Sequence, residues 1–301
     1  MFKGSYTPSI TILNENGKFD FPNMETHINN LINNGINGVL FFGSIGEFFA
    51  FTLEEKKEFI DFVIDRVDKR ISTLIGIGGT NMNEILELAK YAEDREADGL
   101  VIISPYYFGP SEITTEKFFG TIAETVDLPI MLYNFPDRSG NELTPELVSN
   151  LAIKHKNIVS IKDTVDNISH TRKVIQKVKK VRPDFTVLSG FDEYYIPNRI
   201  AGGDGILSGL TNVAPKLFST LHEAYENKDF STVEHCGYQI STLMKLYDTT
   251  DLFISAIKAA VNAKGLNIST YIKEPAIQIT SEQFERIQEI LKEVQEDALV
   301  K

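Results

Sequence analysis

The stretch PIMLYNFPDRSG (129–140), with NIVSIKDT (157–164) shortly after it, is the clearest guide to the fold of this chain. Each segment starts as a short apolar run and ends in polar residues, a pattern typical of a buried parallel strand that runs into a loop. Six more runs of this type occur along the chain: SITIL (9–13), GVLFFG (38–43), TLIGIG (73–78), LVIIS (100–104), FTVLSG (185–190) and GILSG (205–209). Segments with helical periodicity, such as 53–68 and 83–97, lie between the runs. Strands and helices therefore alternate at the spacing of about 20 to 35 residues that a strand and its crossover helix require, which predicts parallel pairing.

Eight such units predict an α/β fold of the (β/α)8 barrel type, the TIM barrel. A doubly wound open sheet is the structural alternative, because periodicity alone does not show that a sheet closes. We expect residues 1–215 to form the barrel core and residues 216–301 to form the last barrel helix and a helical C-terminal extension. Helices are predicted within that extension at 250–264 and 281–296.

Composition narrows the range of functions. The 301 residues are 42% hydrophobic and 24% charged, which describes a globular chain with enough apolar residues for a large core. The 42 acidic and 30 basic residues give a net charge of -12, so the field around the protein repels nucleic-acid phosphates and anionic membrane surfaces. The single cysteine, Cys236, excludes an intramolecular disulfide, and we recognise neither a secretory signal nor a membrane span. We therefore expect a cytoplasmic protein that binds neither nucleic acid nor membranes.

Polar residues at the ends of the predicted strands are the first candidates for catalysis, since barrel enzymes place their chemistry at the carboxyl ends of the strands. Lys162 lies in line with the apolar residues of NIVSIKDT. Shielding an amine from water favours its neutral, nucleophilic form, which can build a Schiff base. Alternatively, Lys162 pairs with Asp163 or reaches solvent. Tyr133 closes the preceding strand and could relay protons, while Ser44, in the turn GSIGE (43–47), could hold a carboxylate together with backbone N–H groups.

Other polar features give weaker signals. Arg138 either clamps a substrate carboxylate or lies on a solvated face. Tyr106 and Tyr107 form an aromatic rim that packing or an interface explains more readily than catalysis. GIGGTN (76–81) has an asparagine where a dinucleotide fingerprint needs its third glycine, so we reject nicotinamide binding. The five histidines form no zinc pattern and no GxSxG sequence occurs, so neither a metal site nor a serine hydrolase is expected.

Five motifs in this order and spacing resemble the dihydrodipicolinate synthase/N-acetylneuraminate lyase superfamily of pyruvate-dependent class I aldolases. The motifs are GSIGE (43–47), SPYYFGP (104–110), YNFPDRSG (133–140), SIKDT (160–164) and GGDG (202–205). The resemblance covers roughly residues 5–300 and implies a TIM barrel with a helical C-terminal region, usually assembled as a homotetramer that is a dimer of dimers. It implies no cofactor, because a covalent lysine Schiff base does the work of one. The runs LIGIGGTN, MLYNFP, LTPEL and IKDTVDN look closest to 2-keto-3-deoxygluconate-type aldolases.

The resemblance also implies roles for individual residues. Lys162 matches the lysine that forms the Schiff base, and Tyr133 matches the tyrosine that shuttles protons. Ser44 matches the hydroxyl that binds the pyruvate carboxylate and passes protons, with the neighbouring backbone N–H supplied by Ile45. Tyr107 matches a tyrosine that, in the synthases, completes a proton relay from an adjacent subunit.

Further positions match the substrate pocket, and some depart from the family pattern. Gly190 and Leu207 fall where the family lines its pyruvate pocket, and Arg138 matches the arginine that holds the second substrate's carboxylate in the synthases. Ile45 replaces the second hydroxyl residue that synthases commonly carry. The run SGFDEYY (189–195) also differs from the more acidic run of typical synthases.

The expected activity is therefore the cleavage or formation of a carbon–carbon bond between pyruvate and an aldehyde, as in a 2-keto-3-deoxy-sugar-acid aldolase. The alternative within the superfamily is dihydrodipicolinate synthase, which condenses pyruvate with aspartate semialdehyde and is favoured by Arg138. A third reading is a catalytically inactive protein that binds 2-keto acids as a regulator, for which Ile45 and the acidic composition give slight support.

Overall fold

Eight parallel strands close into a barrel in the computed structural model, which describes residues 1–294. The strands are β1 (Gly4–Pro8), β2 (Gly38–Phe41), β3 (Ser72–Gly76), β4 (Gly99–Ile103), β5 (Ile130–Asn134), β6 (Ile158–Asp163), β7 (Thr186–Ser189) and β8 (Gly205–Leu207). Each strand pairs with its neighbours in sequence, and β1 closes on β8 with Gly4 opposite Gly205. The predicted (β/α)8 barrel is thus confirmed, and the open-sheet alternative is wrong.

Helices follow each of the strands and continue beyond the last one. They are α1 (Phe21–Asn33), α2 (Leu53–Val67), α3 (Met82–Asp94), α4 (Glu112–Ala123), α5 (Pro136–Ser139), α6 (Pro145–Lys154), α7 (Ile168–Val181), α8 (Tyr195–Ile200), α9 (Pro215–Glu226), α10 (Phe230–Leu243), α11 (Phe253–Val261) and α12 (Ser281–Glu293). Thr52 starts α2 with a capping box, in which its hydroxyl accepts from the Glu55 N–H and the Glu55 carboxylate accepts from the Thr52 N–H. The apolar face of α2, which includes Phe59, Ile60 and Val63, is fully buried against the barrel.

The first strand lies earlier than the sequence predicts. The run SITIL (9–13) is not a strand, because the pairing partners of β2 and β8 are residues of GSYTP (4–8). Ile10, Ile12 and Leu13 are nevertheless fully buried. The apolar character of this run therefore reflects burial of a loop beyond the end of β1, and the run has one isolated bridge, between Leu13 and Phe19, in place of a strand.

The C-terminal helices are shorter than predicted. The helix expected at 250–264 spans Phe253–Val261 and then continues as one π-helical stretch, Asn262–Leu266. The helix expected at 281–296 ends at Glu293, and residues 295 and 296 lie outside the described residues. Within residues 1–294, no helix combines the length and the apolar character that crossing a bilayer requires.

A buried histidine joins α1 to the turn after β8. His27 is fully buried, and its Nε2 lies 3.0 Å from Oδ1 of Asn212. Because that oxygen only accepts, Nε2 carries the proton, and Nδ1 has no partner in the described chain. Burial lowers the pKa of His27 to about 4, although the hydrogen bond to Asn212 acts in the opposite direction. Protonation at Nδ1 would thus create a buried charge without an acceptor.

We expect this histidine to make the free energy of unfolding depend on pH. The unfolded chain binds a proton near pH 6.5 and the folded chain only near pH 4, so the contribution of neutral His27 is complete above pH 6.5. As pH falls to 4, the wild type should lose up to about 3 kcal/mol through this residue alone. Urea unfolding of the wild type and of His27→Gln at several pH values checks this. A stability difference between them that stays constant from pH 7 to pH 4 would contradict it.

Candidate active site

A cavity of about 510 Å³ opens at the carboxyl ends of the strands. Six residues singled out from the sequence line it: Ser44, Ile45, Tyr133, Arg138, Lys162 and Gly190. They come from the ends of β2, β5, β6 and β7 and from α5, which follows β5. The barrel therefore brings together at one site side chains that are separated by up to about half of the sequence.

Lys162 and Tyr133 lie side by side in the lining of this cavity. They are paired across β5 and β6, and the Lys162 Nζ lies 4.2 Å from the centroid of the Tyr133 ring. Only 5% of Lys162 and 4% of Tyr133 are exposed, so both are shielded by the surrounding protein. Lys162 has neither a salt bridge nor a hydrogen bond to any other side chain within residues 1–294. Within these residues no ion pair therefore holds its amine, although its charge acts on the Asp192 carboxylate in the same cavity.

Asp163 does not pair with Lys162, so that reading of the lysine is wrong. Successive strand residues point to opposite faces, and the Asp163 carboxylate points away from the cavity into a buried cluster. It accepts hydrogen bonds from Asn134 Nδ2 at 2.8 Å and from the Thr171 hydroxyl at 2.6 Å. The carboxylate oxygen that accepts from Thr171 also lies 3.0 Å from His170 Nδ1. Because Asn134 follows Tyr133 and Asp163 follows Lys162, this cluster holds the two strand ends in register behind Lys162 and Tyr133.

His170 was not singled out as a site residue from the sequence. It lies between two carboxylates, with Nδ1 near Asp163 and Nε2 3.1 Å from Glu142. Burial by itself would lower its pKa, but the hydrogen bond to Asp163 and the charges of both carboxylates outweigh burial and raise the pKa. Its position as the third residue of α7 gave no sign of this role, since the contact depends on how α7 packs on β6.

The turn after β2 provides hydrogen-bond donors at the cavity wall. The Ser44 Oγ and the Tyr133 hydroxyl lie 3.3 Å apart, and either can donate to the other. The backbone N–H groups of Ser44, Ile45 and Gly46 have no acceptor among the residues that the structure describes. The residue before the turn, Phe42, and its last residue, Glu47, both have left-handed backbone with φ of 56°. Successive free N–H groups in such a turn form a site suited to a carboxylate.

Gly190 is needed beside the lysine for steric reasons. A Cβ at this position would lie 1.8 Å from Thr164 Oγ1 and 3.1 Å from Lys162 Cε. Any side chain there would force Thr164 or Lys162 to move. The glycine therefore keeps open the space next to the amine.

The outer half of the cavity comes from residues that the sequence did not indicate. Asp192, after β7, is 2% exposed and accepts hydrogen bonds from the Leu210 N–H at 2.8 Å and the Tyr247 hydroxyl at 2.7 Å. Burial raises the pKa of Asp192, and these hydrogen bonds act against that rise. Tyr247 comes from the helical extension, as do further lining residues: Ser241, Met244, Lys245, Asp248 and Phe253. No local motif marks them, because tertiary packing alone brings the extension over the barrel mouth.

Arg138 lies at the edge of the cavity and is exposed. Its guanidinium carbon is 5.6 Å from the centroid of the Phe253 ring, a cation–π contact. It forms no ion pair with a carboxylate of residues 1–294. The guanidinium is thus available to a ligand, but it already stacks on an aromatic face.

Two of the predicted residues lie outside this cavity. Tyr107 is 99% exposed and has a φ of 78°, so it points away from the protein's own pocket. Leu207 is fully buried in β8 and is not part of the lining, whereas Gly209, two residues later, is. Among the described residues, no three His, Cys, Asp or Glu side chains cluster in the way that metal ligands do.

Comparison with known proteins agrees with this geometry. The model of the dihydrodipicolinate synthetase family matches residues 1–294. The chain is 39% identical to YagE of Escherichia coli (strain K12), a candidate 2-dehydro-3-deoxy-D-gluconate aldolase, over 92% of this chain and 91% of YagE. It is 33% identical to YjhH of the same organism, a candidate 2-dehydro-3-deoxy-D-pentonate aldolase, over 96% of each chain.

A solved structure extends the likeness from sequence to backbone. The crystal structure of YagE from E. coli K12 in complex with pyruvate superimposes with a TM-score of 0.96 at 37% identity, covering 97% of this chain and 98% of that one. The resemblance inferred from five motifs is confirmed, and the chain belongs to the dihydrodipicolinate synthetase family.

Proposed function

We propose that this protein is a carbon–carbon lyase, a pyruvate-dependent class I aldolase that cleaves or forms a 2-keto-3-deoxy-sugar acid. The observation that carries the proposal is the placement of the Lys162 amine against the Tyr133 phenol in one shielded cavity, beside a turn with free N–H donors. An amine, a proton carrier and a carboxylate site within one pocket are the groups that Schiff-base chemistry on a 2-keto acid requires.

In the cleavage direction, Lys162 Nζ attacks the C2 carbonyl of the keto acid, and loss of water gives an iminium. The iminium withdraws electrons, so the C3–C4 bond breaks as the Tyr133 oxygen takes the proton of the C4 hydroxyl. The aldehyde leaves, the enamine is protonated at C3, and hydrolysis releases pyruvate and the free amine. Since the iminium itself accepts the electrons, the proposed reaction needs neither a metal nor a bound cofactor.

For Tyr133 to accept a proton, its own proton has to move on. Ser44, 3.3 Å away, is the next group in line, and it passes a proton onward as it receives one. We propose that Tyr107 of a second copy of the chain completes this relay. Support comes from the full exposure of Tyr107 and from the exposed apolar residues near it in sequence, Phe108 and Ile113. A homotetramer in the cytoplasm is the proposed working form, and analytical ultracentrifugation tests the assembly.

The carboxylate of the substrate would lie at the turn 43–47. The Ser44 hydroxyl and the N–H groups of Ser44, Ile45 and Gly46 are its donors. Binding there fixes the keto acid at one end, so that C2 faces the amine and the C4 hydroxyl faces the phenol. Such positioning supplies a large part of the rate enhancement in reactions of this kind.

The outer half of the cavity favours a polyhydroxylated aldehyde over aspartate semialdehyde. Glu193, Ser241 and Asp248 line it with carboxylate and hydroxyl oxygens that accept hydrogen bonds from sugar hydroxyls. Lys245 is also there, but its ammonium is paired with Glu293 at 2.5 Å. The carboxylate of aspartate semialdehyde could pair with Arg138, but it would also face the carboxylates of Glu193 and Asp248, which disfavour its binding. The names of YagE and YjhH point to the same class of substrate.

Dihydrodipicolinate synthase remains the second candidate function, because Arg138 borders the cavity. The deciding experiment assays one enzyme preparation for cleavage of 2-keto-3-deoxy-gluconate and 2-keto-3-deoxy-pentonates and for condensation of pyruvate with aspartate semialdehyde. We expect cleavage to have the higher kcat/KM. Faster semialdehyde condensation would reverse the assignment. Calorimetric binding of pyruvate with no adduct trapped by borohydride would instead indicate an inactive regulator.

Replacing Arg138 separates the two enzymatic readings. In Arg138→Gln, cleavage of a keto-deoxy acid with a neutral polyol end should retain its kcat/KM within about threefold, since the arginine has no ionic partner on such a substrate. If the enzyme also condenses pyruvate with aspartate semialdehyde, the kcat/KM of that reaction should fall by at least about tenfold, because a charge-assisted bidentate contact is lost. A large loss in the cleavage reaction would place Arg138 on the sugar acid and contradict this expectation.

A further inference from the structure

We infer that Glu47 and Lys258, an ion pair buried between the barrel and its helical extension, are positioning residues that hold the carboxylate-binding turn in its working conformation. The inference rests on the proposed function, since it assigns that turn to the pyruvate carboxylate. Neither residue lines the cavity, so neither touches substrate.

The pair joins three segments of the chain. The Lys258 Nζ lies 2.5 Å from Glu47 Oε1, and the side chains are 0% and 1% exposed. The other carboxylate oxygen accepts the backbone N–H of Lys273 at 3.0 Å, and Lys258 also donates to the carbonyl of Tyr271 at 2.7 Å. Both oxygens of Glu47 are therefore fixed, one by α11 and one by the chain that follows it.

Glu47 is well placed to control the turn. It ends the segment that begins at Phe42, and both residues have left-handed backbone, which is strained for side chains of this size. Strained backbone persists only where its surroundings determine it. Fixing the Glu47 carboxylate fixes the end of the turn three residues after Ser44, and with it the direction of the free N–H groups.

The same pair sets the distance between two walls of the cavity. Lys258 lies on α11, and Phe253 at the start of that helix lines the cavity and stacks with Arg138. The pair ties α11 to the turn that carries Ser44. A loosened pair would therefore move both the carboxylate site and the part of the cavity wall that Phe253 forms.

Stability alone is a poor explanation for this ion pair. Removing two charges from water costs free energy that their attraction only partly repays, and a neutral pair of similar size is often as stable. Burial lowers the pKa of Lys258, and the charge of Glu47 acts in the opposite direction. What the ion pair supplies beyond a neutral one is a defined geometry between three chain segments.

The test uses the full chain and measures the pyruvate concentration that half-saturates borohydride trapping, together with KM, kcat and the melting temperature. The variants are Glu47→Gln, Lys258→Met and the double variant, in which Gln still accepts the Lys273 N–H and Met fills the space of the lysine. We expect the double variant to melt near the wild type and above Lys258→Met. It should nevertheless need about tenfold more pyruvate for half-saturation, with a smaller change in kcat.

A matched control is Lys179→Met, which removes an ion pair with Asp204 at the opposite end of the barrel (2.7 Å). It should lower the melting temperature slightly and leave half-saturation by pyruvate unchanged. A double variant that traps pyruvate with the wild-type half-saturation would overturn the inference, as would an equal rise in the control. If the double variant does not fold, the pyruvate concentration that half-saturates trapping in Glu47→Gln is compared with that of the wild type instead. Absence of any adduct in the wild type would instead refute the proposed function.

Discussion

Replacing Lys162 by methionine should lower kcat/KM for cleavage of a keto-deoxy acid by at least about 10⁴-fold. In the proposed mechanism the amine becomes the electron sink, and among residues 1–294 no other lysine lines the cavity near Tyr133. Lys245, the second lysine of the lining, belongs to the extension and is ion-paired with Glu293. Methionine has a similar length and no charge, so it should fit a site that is 5% exposed. The loss should therefore come from the chemistry, with circular dichroism and the melting temperature close to those of the wild type.

Borohydride reduction in the presence of pyruvate, followed by peptide mapping, gives the direct measurement. The wild type should carry the reduced adduct on the peptide that contains Lys162, and the variant should carry none. Lys154→Met serves as the control, because that lysine is exposed on α6 and pairs with Glu116 at the surface. Its labelling and activity should equal those of the wild type. An active wild type with unmodified Lys162 would rule out the Schiff-base mechanism.

The barrel itself was largely predictable, because it depends on local patterns repeated eight times. Closure was not, since it depends on the pairing of Gly4 with Gly205, two residues that no local signal connects. The first strand was misplaced for a related reason. GSYTP (4–8) has a glycine and a proline at its ends and looks like a loop, while the more apolar SITIL (9–13) is buried without forming a barrel strand.

The inner part of the site could be predicted and the outer part could not. Lys162, Tyr133 and Ser44 stand at strand ends, where the fold class alone makes polar residues conspicuous. Asp192 and Tyr247 meet only because the extension packs over the barrel mouth. Such contacts between distant segments are set by tertiary packing, which the spacing of residues in one sequence does not report.

The orientation of Asp163 could have been predicted from the sequence. Alternation along a strand requires that neighbours point to opposite faces, so an inward Lys162 already excludes an inward Asp163. The structure adds the partners of the outward carboxylate, namely Asn134, Thr171 and His170. Those partners could not be read from the sequence, because Thr171 and His170 approach through the packing of α7.

Replacing Tyr133 by phenylalanine should separate binding from turnover. The ring that faces the Lys162 amine at 4.2 Å is retained, so pyruvate should still be trapped by borohydride. The hydroxyl that we propose as the proton carrier, 3.3 Å from Ser44 Oγ, is lost, so kcat for cleavage should fall about 10² to 10³-fold. Phe135→Leu is the control, because it changes the ring stacked on Tyr133 at 5.9 Å and leaves the phenol in place. Undiminished turnover in Tyr133→Phe would remove the phenol from its assigned role. Loss of trapping together with turnover would show instead that the hydroxyl is needed as early as the formation of the iminium.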